Sequence, residues 1–130
     1  MADVTIGTIR AKNNGPFTVE QSGEAIGVGK AVYRLSNGKH MLLDATQQLQ
    51  LAGIAITSTT ATDQYFILAQ PGAIVDLGAV LTLNAEYRIS TTSGGITTDA
   101  PVSLEYNNRI GTAIATDQLA IDPYLGAITP

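Results

Sequence analysis

Ala31-Val32-Tyr33-Arg34-Leu35-Ser36 returns as Ala85-Glu86-Tyr87-Arg88-Ile89-Ser90, 54 residues further along the chain. Each copy runs into a turn, Asn37-Gly38 first and Ser93-Gly94-Gly95 second. Each then reaches an Asp-Ala pair, Asp44-Ala45 and Asp99-Ala100. Each ends on an apolar segment led by glycine, Gly53-Ile54-Ala55-Ile56 and Gly111-Thr112-Ala113-Ile114. One strand-turn-strand unit has been used twice to build one core.

The dipeptide Asn37-Gly38 between two β-prone runs is a strong short-range hairpin signal, with positive φ expected at both positions. Further apolar segments lie at residues 51–57, 64–70 and 73–76, and a last one at 119–121. No helical period persists long enough to define a helix; residues 46–50 read as either one helical turn or a loop. About ten short strands spaced roughly 8–12 residues apart predict an all-β domain, a small β-sandwich or barrel. The 130 residues suit a single domain. Residues 1–12 are expected to form an arm, with a strand over 3–10, and residues 122–130 an irregular tail.

Apolar residues make up 45% of the chain and aromatics 5%, which fits thin layers of Ala, Val, Ile and Leu. The net charge is −4, and the seven basic residues are scattered, so no nucleic-acid partner is expected. There is no cysteine, which removes disulfides, thiol catalysis and thiolate-bound zinc. No apolar run approaches the ~18 residues of a membrane-spanning helix. The start carries no basic segment followed by an apolar stretch, so no secretory signal is expected and no membrane partner.

Candidate chemistry is sparse. His40 is the lone histidine; the sequence places it on a strand facing solvent, without the further groups a base or metal site needs. Asp44 and Asp99 occupy matching positions and could pair as carboxylates, but Asp at a strand end commonly closes a turn. Ala61-Thr62-Asp63-Gln64 returns as Ala115-Thr116-Asp117-Gln118, which fits a repeated loop shape as well as it fits ligation. Gly27-Val28-Gly29 lacks the remainder of a dinucleotide fingerprint. No catalytic residue, cofactor or metal ligand is assigned. In the repeated Tyr-Arg pairs, Tyr33 and Tyr87 face inward and Arg34 and Arg88 outward, or the two arginines meet a partner surface. Val4, Thr5, Ile6, Thr8 and Arg10 of the arm join them as candidate contacts. The arm is either an ordinary edge strand or a strand added to a neighbour's sheet.

The opening Met1-Ala2-Asp3-Val4-Thr5-Ile6 is similar to the start of small virion proteins of tailed bacteriophages. So is the run from Ile26 through Gly27-Val28-Gly29-Lys30 to Tyr33, followed by Asn37-Gly38-Lys39 and Asp44-Ala45. Gly53-Ile54-Ala55, Leu77-Gly78-Ala79-Val80-Leu81, Gly94-Gly95-Ile96 and Ile110-Gly111-Thr112-Ala113 continue the likeness in order. The chain thereby resembles the phage capsid decoration, or cement, proteins; residues 46–50 and the stretch after Ile121 depart from the pattern. The resemblance implies a small β-rich protein, made in the host cytoplasm, that binds the outer surface of the head as a homotrimer. There it would bridge subunits of the major capsid protein. Two other classes compete with it: a tail- or fibre-associated module binding a host surface glycan, and a hydrolase.

Overall fold

The computed structural model describes residues 3–130, and among them it contains strands and no helix. The strands are β1 (Arg10–Ala11), β2 (Phe17–Ser22), β3 (Ala31–Arg34), β4 (Lys39–Leu42), β5 (Gly53–Ala55), β6 (Tyr65–Ala69), β7 (Ile74–Asp76), β8 (Glu86–Ile89), β9 (Ile96–Thr97), β10 (Tyr106–Ala115) and β11 (Gln118–Ile128). Five of them close into a small barrel in the order β2-β4-β3-β5-β6, and six form a curled sheet in the order β1-β7-β11-β10-β8-β9.

The sequence repeat is a repeat of topology. β3 and β4 form one antiparallel hairpin and β8 and β9 the other. The glycine-led strand lies on the opposite side of the first hairpin strand in both halves, β5 on β3 and β10 on β8. β6 then continues beyond β5, and β11 beyond β10. The order β4-β3-β5-β6 is thus matched by β9-β8-β10-β11. β7 falls where β2 lands when moved along the chain by the repeat offset, and it flanks β11 antiparallel as β2 flanks β6.

The leading glycines have a steric cause. A Cβ on Gly53 would stand 2.1 Å from the carbonyl oxygen of Ala69, and one on Gly111 would stand 1.8 Å from that of Ala120. In each half the next strand's backbone presses on this residue, so any side chain would push the strands apart. The turn at Asn37-Gly38 also forms, but only Gly38 has positive φ, at 87°. The Gly38 N–H donates to the Leu35 carbonyl and the Leu35 N–H to the Lys39 carbonyl. This makes a three-residue loop ending in a left-handed glycine rather than the two-residue turn expected.

The halves close differently. In the first, β2 pairs in parallel with β4 and the barrel is complete. In the second, β7 and β9 leave a gap, and the N-terminal arm fills it. Val4 N–H donates to Ile96 O at 2.7 Å, Gly7 N–H to Leu77 O at 2.8 Å, and β1 then pairs with β7. Residues 3–9 are extended without being a regular strand, and the arm belongs to its own sheet rather than reaching toward a neighbour. Val4, Ile6 and Ile9 pack on the core, whereas Thr8, which the alternation of a regular strand would place beside Val4 and Ile6, is exposed. The alternation breaks at Gly7, whose backbone lies directly against Gly78.

The irregular tail expected over 122–130 is also corrected, because β11 runs through Asp122-Pro123 to Ile128. Pro123 is tolerated because β7 pairs β11 only at Leu119 and Ala120, so its missing N–H costs no ladder bond on that side. The barrel interior holds Ile26, Val32, Ala55, Phe66 and Leu68. A larger core joins the halves, with Leu43, Leu51 and Ile54 from the first packed among Val75, Ile89, Ile110 and Leu119 from the second.

Two expectations follow for thermal denaturation. Gly53→Ala and Gly111→Ala should each destabilise the protein by about 1–3 kcal/mol or more, because overpacking here meets backbone rather than a movable side chain. Removing residues 3–9 should lower Tm sharply, since it reopens the gap between β7 and β9; an unchanged Tm would mean the arm is dispensable to the fold.

Candidate functional site

His40 is the clearest correction to the sequence reading. It lies on β4 but points into the barrel, 2% exposed, rather than toward solvent. Its ring meets Phe66 edge to face with centroids 5.7 Å apart. Nδ1 has no hydrogen-bond partner. Burial holds the imidazole below its ordinary value of 6.5, against the Glu20 carboxylate and a backbone hydrogen bond at Gln21, with the Arg34 charge adding to the depression. The side chain therefore stands neutral in the fold and acts as core.

Asp44 serves a turn. Asp44 Oδ1 accepts from the Thr46 N–H at 2.8 Å and from the Thr46 hydroxyl, while the Asp44 N–H donates to Gln47 Oε1. Residues 44–47 are thus a turn, which decides between the loop and helical readings of this stretch. The Asp99 N–H donates to Thr97 Oγ1 at 3.0 Å. The repeated Ala-Thr-Asp-Gln segments are also structural, since each carries the turn from the glycine-led strand into its neighbour, β5 to β6 and β10 to β11. Both turn aspartates take a lysine: Asp63 pairs with Lys39, and Asp117 with Lys12 at 3.3 Å. Lys39 comes from β4, which neighbours β2, and Lys12 from the arm that replaces such a strand in the second half.

Tyr87 is buried and Arg88 half-buried; Tyr33 is half-buried and Arg34 exposed. The inward tyrosine and outward arginine of the sequence reading describe both halves. Arg34 and Arg88 lie on different sheets and do not converge. The Arg88 guanidinium donates to Asn107 Oδ1 at 2.8 Å and pairs with Glu86 at 3.3 Å, and Glu86 also holds Arg109 at 3.4 Å. Arg34 makes no ion pair among the described residues. Of the arm candidates, Val4 and Ile6 face the core, and Thr5, Thr8 and Arg10 are exposed.

A cleft of ≈ 180 Å³ opens beside Arg88, bordered by Asp3, Asp99, Glu105 and Tyr106. It is smaller than the roughly 300–1,000 Å³ of ordinary ligand sites. Asp3 Oδ2 there already accepts from the Ser90 hydroxyl at 2.8 Å. Among the described residues, no group of three or more His, Asp or Glu side chains is disposed to hold a metal ion. Among the same residues, no helix is long and apolar enough to cross a membrane.

What the sequence reading did not single out is the outer wall of the barrel. On the adjacent strands β2 and β6, Val19 stands opposite Ile67 and Gln21 opposite Tyr65. Val19 is 68% and Tyr65 73% exposed, and Ile67 also reaches solvent. The alternation of β6 carries the signal, with Phe66 and Leu68 filling the barrel while Tyr65 and Ile67 point away from it. Only closure of the barrel shows that none of the described residues covers this outer face.

No protein-family model matches the chain, and no curated protein matches it.

The buried imidazole sets a pH dependence. Unfolded, His40 takes a proton near pH 6.5; folded, it resists, so below that pH the unfolded chain binds more protons. Stability should fall as pH drops from about 6.5 through the lower folded value, by at most about 1.4 kcal/mol per pH unit, and His40 should contribute no slope above about pH 7.5. Chemical denaturation across this range, comparing wild type with His40→Leu, checks it; equal slopes for the two proteins would refute the assignment.

Proposed function

We propose that this protein is a head decoration, or cement, protein of a tailed bacteriophage. In this reading it binds the outer surface of the capsid as a homotrimer, after synthesis in the host cytoplasm, and stabilises the lattice of the major capsid protein. The observation that carries the reading is the uncovered apolar wall of the barrel, Val19, Tyr65 and Ile67. Apolar side chains clustered on two rigid neighbouring strands offer a surface suited to another protein, with an aromatic anchor at one end. A closed barrel pairs its own strand edges, so contact there is made by side chains. The ordered glycine motifs that resemble the decoration proteins favour a phage shell as that other protein.

The alternative is a tail- or fibre-associated module that binds a host surface glycan. Its support is Tyr65 and Tyr124, 73% and 65% exposed, since an exposed aromatic ring offers an apolar face with a polar tip.

The test is to mix the purified protein with heads that lack it and count bound copies per particle. Decoration predicts saturation at a copy number comparable to that of the major capsid protein. Val19→Ser combined with Tyr65→Ser should weaken binding by about 30-fold, the loss expected of interface anchors, with little change in Tm. A few copies per particle confined to the tail would select the glycan-binding reading, and no binding to heads or tails would remove both.

A further inference from the structure

One junction of the five-stranded barrel is unlike the others. β2 and β4 run parallel and pair only at Gln21↔Lys39 and Ser22↔His40, whereas the other four junctions of the ring are antiparallel. Parallel pairing is slightly less stable per residue. Past the end of β2 the junction is continued by two bonds. The Gly23 N–H donates to His40 O at 2.7 Å, and the Leu42 N–H donates at 2.9 Å to Glu24 Oε2, a side chain standing in for a strand. The ion pair of Lys39 with Asp63 ties β4 to the turn before β6, at a surface position where such pairs contribute little.

His40 stands at this junction with its ring inside the barrel. A protonated imidazole donates from both nitrogens. Nδ1 has no partner, and the polar groups nearby are committed to others. Ser22, opposite His40 on β2, has a buried hydroxyl that donates to Ala61 O and accepts from the Gln64 N–H. Thr59 Oγ1 accepts from the Ile26 N–H and donates to Glu24 O. From β6 the ring meets only Phe66, at 83°. Of the facing charges, Glu20 on β2 favours a proton on the ring and Arg34 on β3 opposes it. Glu24 is taken by Leu42, and Lys39 and Asp63 neutralise each other. A charged ring in this apolar interior is costly unless water reaches it.

We propose that the β2–β4 junction is an acid-sensitive seam: a proton on His40 releases β4 from β2 and opens the barrel while the second half of the domain stays folded. Opening brings the imidazole into water, where it takes a proton near pH 6.5, so the open form gains below that pH and is indifferent to pH above about 7.5. Phe66 and Leu68 of the barrel interior then meet solvent. The seam is separate from the exposed barrel wall and does not depend on the decoration reading.

The experiment is native-state hydrogen exchange on the full isotope-labelled chain at about pH 7.5 and about pH 5.5, over a series of low urea concentrations. Rates are corrected for the intrinsic pH dependence of exchange. The amides of Gly23 and Leu42, bonded across the seam, are compared with those of Ala113 and Ile121 in the second half. The seam amides should be less protected, and their protection should respond weakly to urea, as for an opening that exposes little surface. From the higher pH to the lower, their protection should drop by about three- to tenfold, tenfold being the limit for one group titrating near pH 6.5 in the open form. His40→Leu and His40→Gln, neutral at both pH values, should each abolish the drop. Equal protection and equal urea dependence of the two sets of amides would leave global unfolding alone and overturn the proposal. So would seam protection that does not change with pH. A drop that persists in both His40 variants would also overturn it, because the trigger would then be a carboxylate such as Glu20 or Glu24.

Discussion

The carbonyl of Ala69 lies against the Cα of Gly53, and the carbonyl of Ala120 against that of Gly111. This backbone-to-backbone approach is the contact on which the rest of the molecule depends. It brings β5 close to β6 and β10 close to β11, and such tight approach lets short strands curl rather than form a flat layer. A barrel as small as β2-β4-β3-β5-β6 has room inside for few side chains, and Phe66, Val32, Ile26 and Leu68 fill it together with the neutral ring of His40. In a chain with few aromatics and no cysteine, stability has to come from this density of backbone contact and aliphatic packing.

Duplication leaves an asymmetry that the N-terminal arm resolves. The first half supplies its own closing strand; the second does not, and its free edges would expose unpaired backbone groups over the shared core. The arm covers those edges with a few hydrogen bonds and three apolar side chains. Its fit relies on small residues at the crossings: Ile6 sits where a Cβ on Gly29 would be, and Gly7 passes over Gly78. The same substitution of arm for strand appears in the ion pairs, with Lys12 taking for Asp117 the part that Lys39 takes for Asp63. The arm's sequence is thus committed to its own domain, and the exposed apolar face lies elsewhere, on the barrel wall.

The functional reading follows from where polar and apolar groups are spent. Asp44, the Ala-Thr-Asp-Gln turns, and the Glu86 network with Arg88 and Arg109 all act within the chain. Apolar groups that a folding argument would bury are instead held outward on rigid elements, as with Val19, Tyr65 and Leu104. This distribution suits a protein whose work is contact, and it agrees with the capsid decoration proposed here.

The sequence by itself determined the all-β class, the twofold use of one strand-turn-strand unit, and the turn positions. Those are local properties: Gly and Asn at left-handed positions, alternation along β6, and a repeated order of motifs can be read without knowing what lies across the sheet. Tyr87 inside and Arg88 outside were legible for the same reason. Tertiary structure decided everything that turns on which strand lies beside which. His40 is inward because β4 is enclosed by β2 and β3, a pairing between distant segments that no local pattern encodes. The residues around Pro123 extend β11 because β7 stops short of them, and the arm folds home because β7 and β9 leave a gap of its width. Exposure of Val19 and Leu104 is likewise a statement about absent neighbours, and neighbours are fixed only when the barrel closes.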